Sequence, residues 1–396
     1  MSNGREVVVV SGVRTAIGDF GGSLKDFSPT ELGARVAREA ISRAGIGAEE
    51  IGHVVFGNVI QTEPKDMYLA RVCAMNGGIP KEVPAMTLNR LCGSGLQAIV
   101  SAAQSVLLGD TNIALAGGAE SMSRSPYIVP AARWGQRMGD EAMIDWMVGA
   151  LADPFDKQHM GVTAERIAAK WSITRETQDA FAVESHRRAA KAQAEGRFKS
   201  QILPIELQSK KGTVVFDSDE HVRAEATIED MAKLRAVFQK DGSVTAGNAS
   251  GLNDAAAAVV LMERSTAEKK GLAPLARLVA YGHAGVDPAY MGIGPVPAVN
   301  NAMQKAGLTV AQMDVVESNE AFAAQACAVS HDLGFDPAKV NPNGGAIALG
   351  HPIGATGCLI TIKALNELQR INGRYALVTM CIGGGQGIAA IFERVQ

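Results

Sequence analysis

Four segments, three of them glycine-rich, hold side chains able to do covalent or acid–base chemistry. The first is Asn89-Arg90-Leu91-Cys92-Gly93-Ser94-Gly95. Cys92 stands just ahead of a predicted helix, where unpaired N–H groups and the positive end of the dipole favour thiolate over thiol. The flanking glycines let a substrate approach the backbone. A cysteine in such a turn is otherwise a small inert hydrophobe, and this segment alone leaves both readings open. The second segment, Gly344 to Gly357, contains Gly350-His351-Pro352. A histidine beside a cysteine can take its proton; a structural hydrogen bond in a tight turn is the other reading. The third is Cys381-Ile382-Gly383-Gly384-Gly385, a cysteine at a strand end. Its glycine N–H groups suit an oxyanion, or they simply form a turn. The fourth is Ser318-Asn319-Glu320-Ala321-Phe322. Asn319 there either caps a helix or orients a water.

Other chemistries find no foothold. No GxGxxG follows the first strand, and GxxxxGK[ST], HExxH and GxSxG do not occur. The five cysteines, widely spaced and with no CxxC pair, argue against a disulfide framework or a metal site. A net charge of −3 gives no pull toward nucleic acid or an anionic membrane. No uninterrupted apolar run approaches the roughly 18–20 residues of a membrane span. The start of the chain lacks the order of a signal peptide, so a cytoplasmic location is expected.

The elements that must position these segments follow an α/β pattern over 396 residues. Val7–Val10 is expected as a strand buried on both faces. The helix Thr30–Ala44 follows, ending at Gly45. Strand His53–Asn58, helix Gly95–Leu108 and strand Ile113–Ala116 come next. The second half repeats the order: strand Leu275–Ala280, helix Val299–Ala306, strand Val315–Asn319, helix Gly354–Leu368 and strand Tyr375–Met380. Val54–Asn58 parallels Val315–Asn319, and the spacings from Asn58 to Cys92 and from Asn319 to His351 are close, 34 and 32. The reading is a duplicated α/β unit with His351 in the duplicate position to Cys92. Residues from about 122 to 250 hold all three tryptophans and two amphipathic helices, Val162–Ser172 and Glu176–Ala194. They read as an insertion over the carboxyl ends of the strands, where open α/β sheets bind ligands.

Taken together, these segments, with Gly247-Asn248-Ala249-Ser250-Gly251, closely resemble the signature loops of thiolases, and the resemblance runs from Val7 to Glu393. Ala131-Ala132-Arg133-Trp134-Gly135 and His159-Met160-Gly161 are similar to the biosynthetic acetyl-CoA acetyltransferases and bacterial β-ketothiolases of the polyhydroxyalkanoate type. The resemblance implies an α/β fold of the thiolase-like duplicated five-layer αβαβα architecture. Its halves would be 1–121 with 252–271, and 272–396, with 122–251 as an inserted CoA-binding loop domain. It implies acyl transfer to Cys92 with His351 as base, and proton removal from a second acyl-CoA by Cys381. Oxyanion sites would come from His351 with a water on Asn319, and from the N–H groups of Cys92 and Gly383. Leu151, His159, Met160, Arg223, Ala246, Ser250, Ala321 and Phe322 match positions near CoA, and Met160 and Met291 would shape the acyl pocket. Acyl-CoA and CoA are the implied partners, with no permanently bound cofactor, no metal and a homotetramer built as a dimer of dimers. A degradative 3-ketoacyl-CoA thiolase acting on longer chains is the alternative. Ser318, where many relatives have alanine, leaves the tuning of Asn319 open.

Overall fold

A computed structural model describes residues 4–209 and 212–395, so the ends of the expected domains, 1–3 and 396, lie outside the described residues, as do 210–211. The first half contains β1 (Val7–Thr15), α1 (Pro29–Ala44), β2 (His53–Gly57), β3 (Ala85–Leu88), α2 (Ser94–Leu108), β4 (Ile113–Ser121) and β5 (Asn253–Glu263). Between β4 and β5 come helices α3 (Met160–Lys170) and α4 (Arg175–Ala194). The second half contains β6 (Ala276–Gly285), α5 (Pro295–Ala306), β7 (Val315–Ser318), α6 (Ala323–Leu333), α7 (Ile353–Arg370), β8 (Tyr375–Ile382) and β9 (Gln386–Arg394).

Local rules explain the boundaries. Helix α1 opens with a capping box, Ser28 accepting from the Glu31 N–H while the Glu31 carboxylate accepts from the Ser28 N–H. It closes at Gly45 in the left-handed region, φ 67°. Strand β4 runs past its expected end at Ala116 to Ser121. Gly117 and Gly118 interrupt the apolar pattern, yet they pair with Ala258 and Ala257 of β5. A Cβ on Gly118 would lie 2.2 Å from the Gly354 oxygen, so glycine is required by neighbours that the local sequence does not reveal.

The strands of the first half lie in the order β3-β2-β4-β5-β1 and those of the second in the order β7-β8-β9-β6. A bridge from Val316 to Val340 supplies the second half's counterpart of β3. Among the described residues, strand pairing joins the two sheets at Val8 with Arg277 and Val9 with Ala276. Helix α1 packs on β1, β4 and β5, and α5 packs on β6 and β9. Helices α2 and α7 pack on each other and against strands of both halves. The layers are therefore helix, sheet, helix pair, sheet, helix, as the resemblance implied. Central burial also explains why Leu91–Leu108 is apolar enough to cross a membrane by composition, with mean hydropathy 1.4. The run is the expected helix from Gly95, here a core helix beginning at Ser94.

The duplication extends to its irregularities. Strand β1 has a bulge between Val9 and Ser11 against β5, and β6 has one between Leu278 and Ala280 against β9. The register differs from the expected one, however. His53 pairs with Ala114 as Val315 pairs with Ala376, so His53, and not Val54, corresponds to Val315. At the α2–α7 contact a Cβ on Gly95 would meet the Cys358 nitrogen at 2.7 Å, and one on Gly357 the Leu96 nitrogen at 2.2 Å. That reciprocity equates Gly95 with Gly357, the same spacing of 262 residues that separates His53 from Val315. Cys92 then corresponds to Gly354, and His351 stands three residues earlier, in the turn before α7. The expectation that His351 duplicates Cys92 is corrected by that much.

Alanine at a buried helix position normally gains about 0.5–1 kcal/mol over glycine. Gly357→Ala should instead lose about 1–3 kcal/mol, because the new methyl meets backbone that cannot give way. Gly149, with open space around its Cβ, should show the opposite sign when replaced by alanine. Chemical denaturation of the two variants checks both signs.

Candidate active site

Cys92 is presented by a strained turn. Leu91 has φ 46°, unusual for a residue with a side chain. The turn is locked around it: the Leu91 N–H donates to Asn89 Oδ1 at 2.8 Å, the Arg90 N–H donates to Ser94 Oγ at 2.8 Å, and that hydroxyl donates to the Leu91 oxygen at 2.7 Å. Cys92 is half-buried at the entrance to α2. A Cβ on Gly93 would strike Ile382 at 2.6 Å, so the turn lies tight against the end of β8.

His351 is held at three atoms. Its N–H donates to Asn253 Oδ1 at 2.9 Å. The preceding Gly350 has φ +109°, and a Cβ there would lie 2.4 Å from the Asn253 side chain. Nδ1 lies 2.7 Å from Thr356 Oγ1, and that hydroxyl donates its single hydrogen to the Pro352 oxygen at 2.9 Å. The hydroxyl must therefore accept from Nδ1–H, which leaves the lone pair on Nε2. Asn319 Nδ2 faces Nε2 at 3.4 Å.

Cys381 is the penultimate residue of β8 and fully buried. After it Gly384 and Gly385 take φ 81° and 84°, and a Cβ on Gly385 would lie 2.3 Å from the Val286 oxygen. This turn aims the Gly383 N–H at the Cys92 sulfur, which also receives the N–H of Cys92 itself.

One cavity of about 760 Å³ borders Cys92, His351, Cys381 and Gly383. Its wall also includes Leu151, His159, Met160, Ala246, Ser250, Met291, Ala321 and Phe322. Two expected residues lie outside the wall. Asn319 sits buried behind His351. Arg223 is on the surface, its side chain 64% exposed and 3.6 Å from the Asp19 carboxylate. Ser318 points its backbone at Asn341, donating N–H to Oδ1 at 3.0 Å and accepting from Nδ2 at 2.8 Å. Sequence reasoning passed over Thr356 and Asn253, which orient His351. It also passed over Phe238, which stacks on His159 with ring centroids 4.6 Å apart. Phe238 belongs to no motif. Thr356 lies inside the His351 segment and was legible there as one helical turn beyond Pro352.

Electrostatics reverse one expectation. Burial pushes the Cys92 thiol up to about 11, against the pull of the Gly383 and Cys92 N–H groups. Burial lowers His351 to about 4. Burial, with Cys92 nearby, also raises Cys381. The resting groups are thus neutral thiols and a neutral imidazole, with desolvation outweighing the helix dipole. Below a thiol's pKa the thiolate fraction falls tenfold per pH unit. Alkylation of Cys92 by iodoacetamide should therefore rise about 100-fold from pH 7 to pH 9 without levelling. A plateau already reached at pH 7 would mean a preformed thiolate.

Known proteins match this chain over nearly their whole length. Residues 7–265 match the thiolase N-terminal domain and residues 272–394 the thiolase C-terminal domain. The chain is 70% identical to Beta-ketothiolase BktB of Cupriavidus necator over 392 residues, 99% of this chain and 100% of the relative. It is 53% identical to an acetyl-CoA acetyltransferase of Syntrophomonas wolfei, covering 98% and 99% of the two. Among solved structures, the Bacillus anthracis acetyl-CoA acetyltransferase superposes with TM-score 0.97 at 45% identity, and human mitochondrial 3-ketoacyl-CoA thiolase with 0.97 at 46%. Each covers 99% of both chains. The chain belongs to the thiolase family.

Proposed function

We propose that this thiolase condenses acetyl-CoA with acetyl-CoA or another short acyl-CoA, giving a 3-oxoacyl-CoA and free CoA. The observation that carries the reading is two cysteines and a histidine with an unprotonated Nε2, all bordering one cavity. His351 takes the Cys92 proton as the sulfur attacks the first thioester. The tetrahedral oxyanion gathers at the N–H groups of Gly383 and Cys92 and collapses to acyl-Cys92; CoA departs with the Cys381 proton, which leaves Cys381 a thiolate. Cys381 then removes an α-proton from the second acyl-CoA. The enolate oxygen forms beside His351 and the Asn319 amide. The carbanion attacks acyl-Cys92, a carbon–carbon bond forms, the carbon–sulfur bond to Cys92 breaks, and the Cys92 thiolate takes its proton back from His351. Thiolysis is the same path reversed.

The largely apolar cavity suits a pantetheine arm, with His159, Met160, Ser250 and Phe322 along it. Arg223, on the surface, is available to a phosphate. Met160 and Met291 face the acyl group. Acyl-CoA and CoA are the partners, and no permanently bound cofactor takes part. A cytoplasmic homotetramer is the form we assign. The names of the relatives support acetyl-CoA as a substrate.

Cys381→Ser should still collect one acetyl group on Cys92 from acetyl-CoA, seen by mass spectrometry, while condensation falls by roughly 10²–10⁴-fold. Cys92→Ser should lose both. Full condensation in either variant contradicts the assignment. Across 3-oxoacyl-CoAs of rising length the thiolysis rate should be highest for short chains; a maximum at long chains would favour degradative 3-ketoacyl-CoA cleavage.

A further inference from the structure

We propose that Glu120 is the positioning residue for His351, acting as a cap that one half of the molecule supplies to the other. The inference rests on the reading of His351 as the base. Helix α7 begins immediately after the His351-Pro352 turn, and its N-cap, Pro352, makes no side-chain cap bond. The first N–H groups of a helix have no partner inside it. Glu120, fully buried near the end of β4, meets one of them: its Oε2 accepts from the Gly354 N–H at 2.8 Å. The same oxygen accepts from the Val59 N–H at 3.1 Å. Oε1 accepts from the Ile60 N–H at 3.1 Å and from Asn58 Nδ2 at 3.0 Å.

Four donors from two halves of the chain converge on one carboxylate, the arrangement that suits its ionised, acceptor-only form. Its charge also lies at the positive end of the α7 dipole. The contact is built at backbone distance. A Cβ on Gly354 would lie 2.6 Å from Glu120 Oε2, and one on Gly57 would lie 2.9 Å from the Gly354 oxygen. Glu120 thereby ties the loop after β2 to the start of α7. The His351 side chain is anchored to that same turn of helix through Thr356. Loosening the cap frees the turn and lets the imidazole drift from Cys92, with no contact to substrate lost. Burial pushes Glu120 up to about 8, so the assays are set at about pH 9, where it is ionised.

The experiment measures the rate of acetylation of Cys92 by acetyl-CoA, with KM, in wild type, Glu120→Gln, Glu120→Asp, His351→Asn and Glu120→Gln/His351→Asn. Glu120→Gln keeps the shape but turns an amide against N–H donors. We expect it to slow acetylation by about 10–100-fold with KM unchanged. Glu120→Asp, which keeps the charge, should fall between wild type and Glu120→Gln. The double variant should be no slower than His351→Asn alone, because both substitutions act through one imidazole. Losses that multiply, a wild-type rate in Glu120→Gln, or an Asp variant as slow as the Gln variant would each overturn the proposal. If Glu120→Gln does not fold, the Asp variant and its double with His351→Asn carry the same comparison. A wild-type rate in His351→Asn alone would instead remove the reading of His351 as base, a failure distinct from that of the cap.

Discussion

The contact between α2 and α7 sets everything else in this molecule. Two glycines, Gly95 and Gly357, let the helices meet backbone to backbone at distances no side chain permits. The strands of the two halves pair at two positions, and this helix contact, with the bonds from Asn253 to His351 and from Glu120 to Gly354, holds them in register. Both helices begin at the cavity, and the residues that open them or precede them are Cys92 and His351. A helix pair packed this closely excludes water along its length. The same burial that stabilises the layer therefore sets the charge state of the site.

That charge state decides how the chemistry starts. A cysteine at a helix entrance is ordinarily a thiolate candidate, and the two N–H groups aimed at Cys92 do pull its pKa down. Desolvation pushes harder, and the sulfur rests as a thiol near 11. His351, neutral to about pH 4, completes an uncharged pair. Such a pair costs little to bury, and it becomes charged only as the proton moves to Nε2. The donors at the sulfur then face the position where oxyanion charge develops, which is where preorganised dipoles lower a barrier most.

Much of this was legible in the residues. Three glycine-rich segments marked Cys92, His351 and Cys381, a fourth segment marked Asn319, and the repeated strand–helix order marked the duplication. Periodicity placed the helices within a few residues of their observed limits. What escaped has physical causes. Matching Val54 to Val315 slipped the duplicate register by one, because two valine-rich strands align equally well either way; strand pairing and the reciprocal contact of Gly95 and Gly357 resolve it. The pull toward thiolate at the helix entrance is outweighed by burial; dipoles are visible in sequence and burial by distant elements is not. Asn253, on a strand nearly 100 positions before His351, carries no local signal of its bond to the His351 N–H, and Phe238 reaches His159 across the insertion. Arg223 was placed by resemblance, and its contact with Asp19 is a surface one that no motif announces.

The claim on which the rest stands is that His351 rests neutral, with its proton on Nδ1 held by Thr356. Nitrogen NMR of the enzyme labelled at histidine, recorded at pH 7 with a His351→Asn sample for assignment, tests it directly. The account predicts one protonated nitrogen, Nδ1, and one bare nitrogen, Nε2. Two protonated nitrogens, the signature of an imidazolium paired with a Cys92 thiolate, would contradict it.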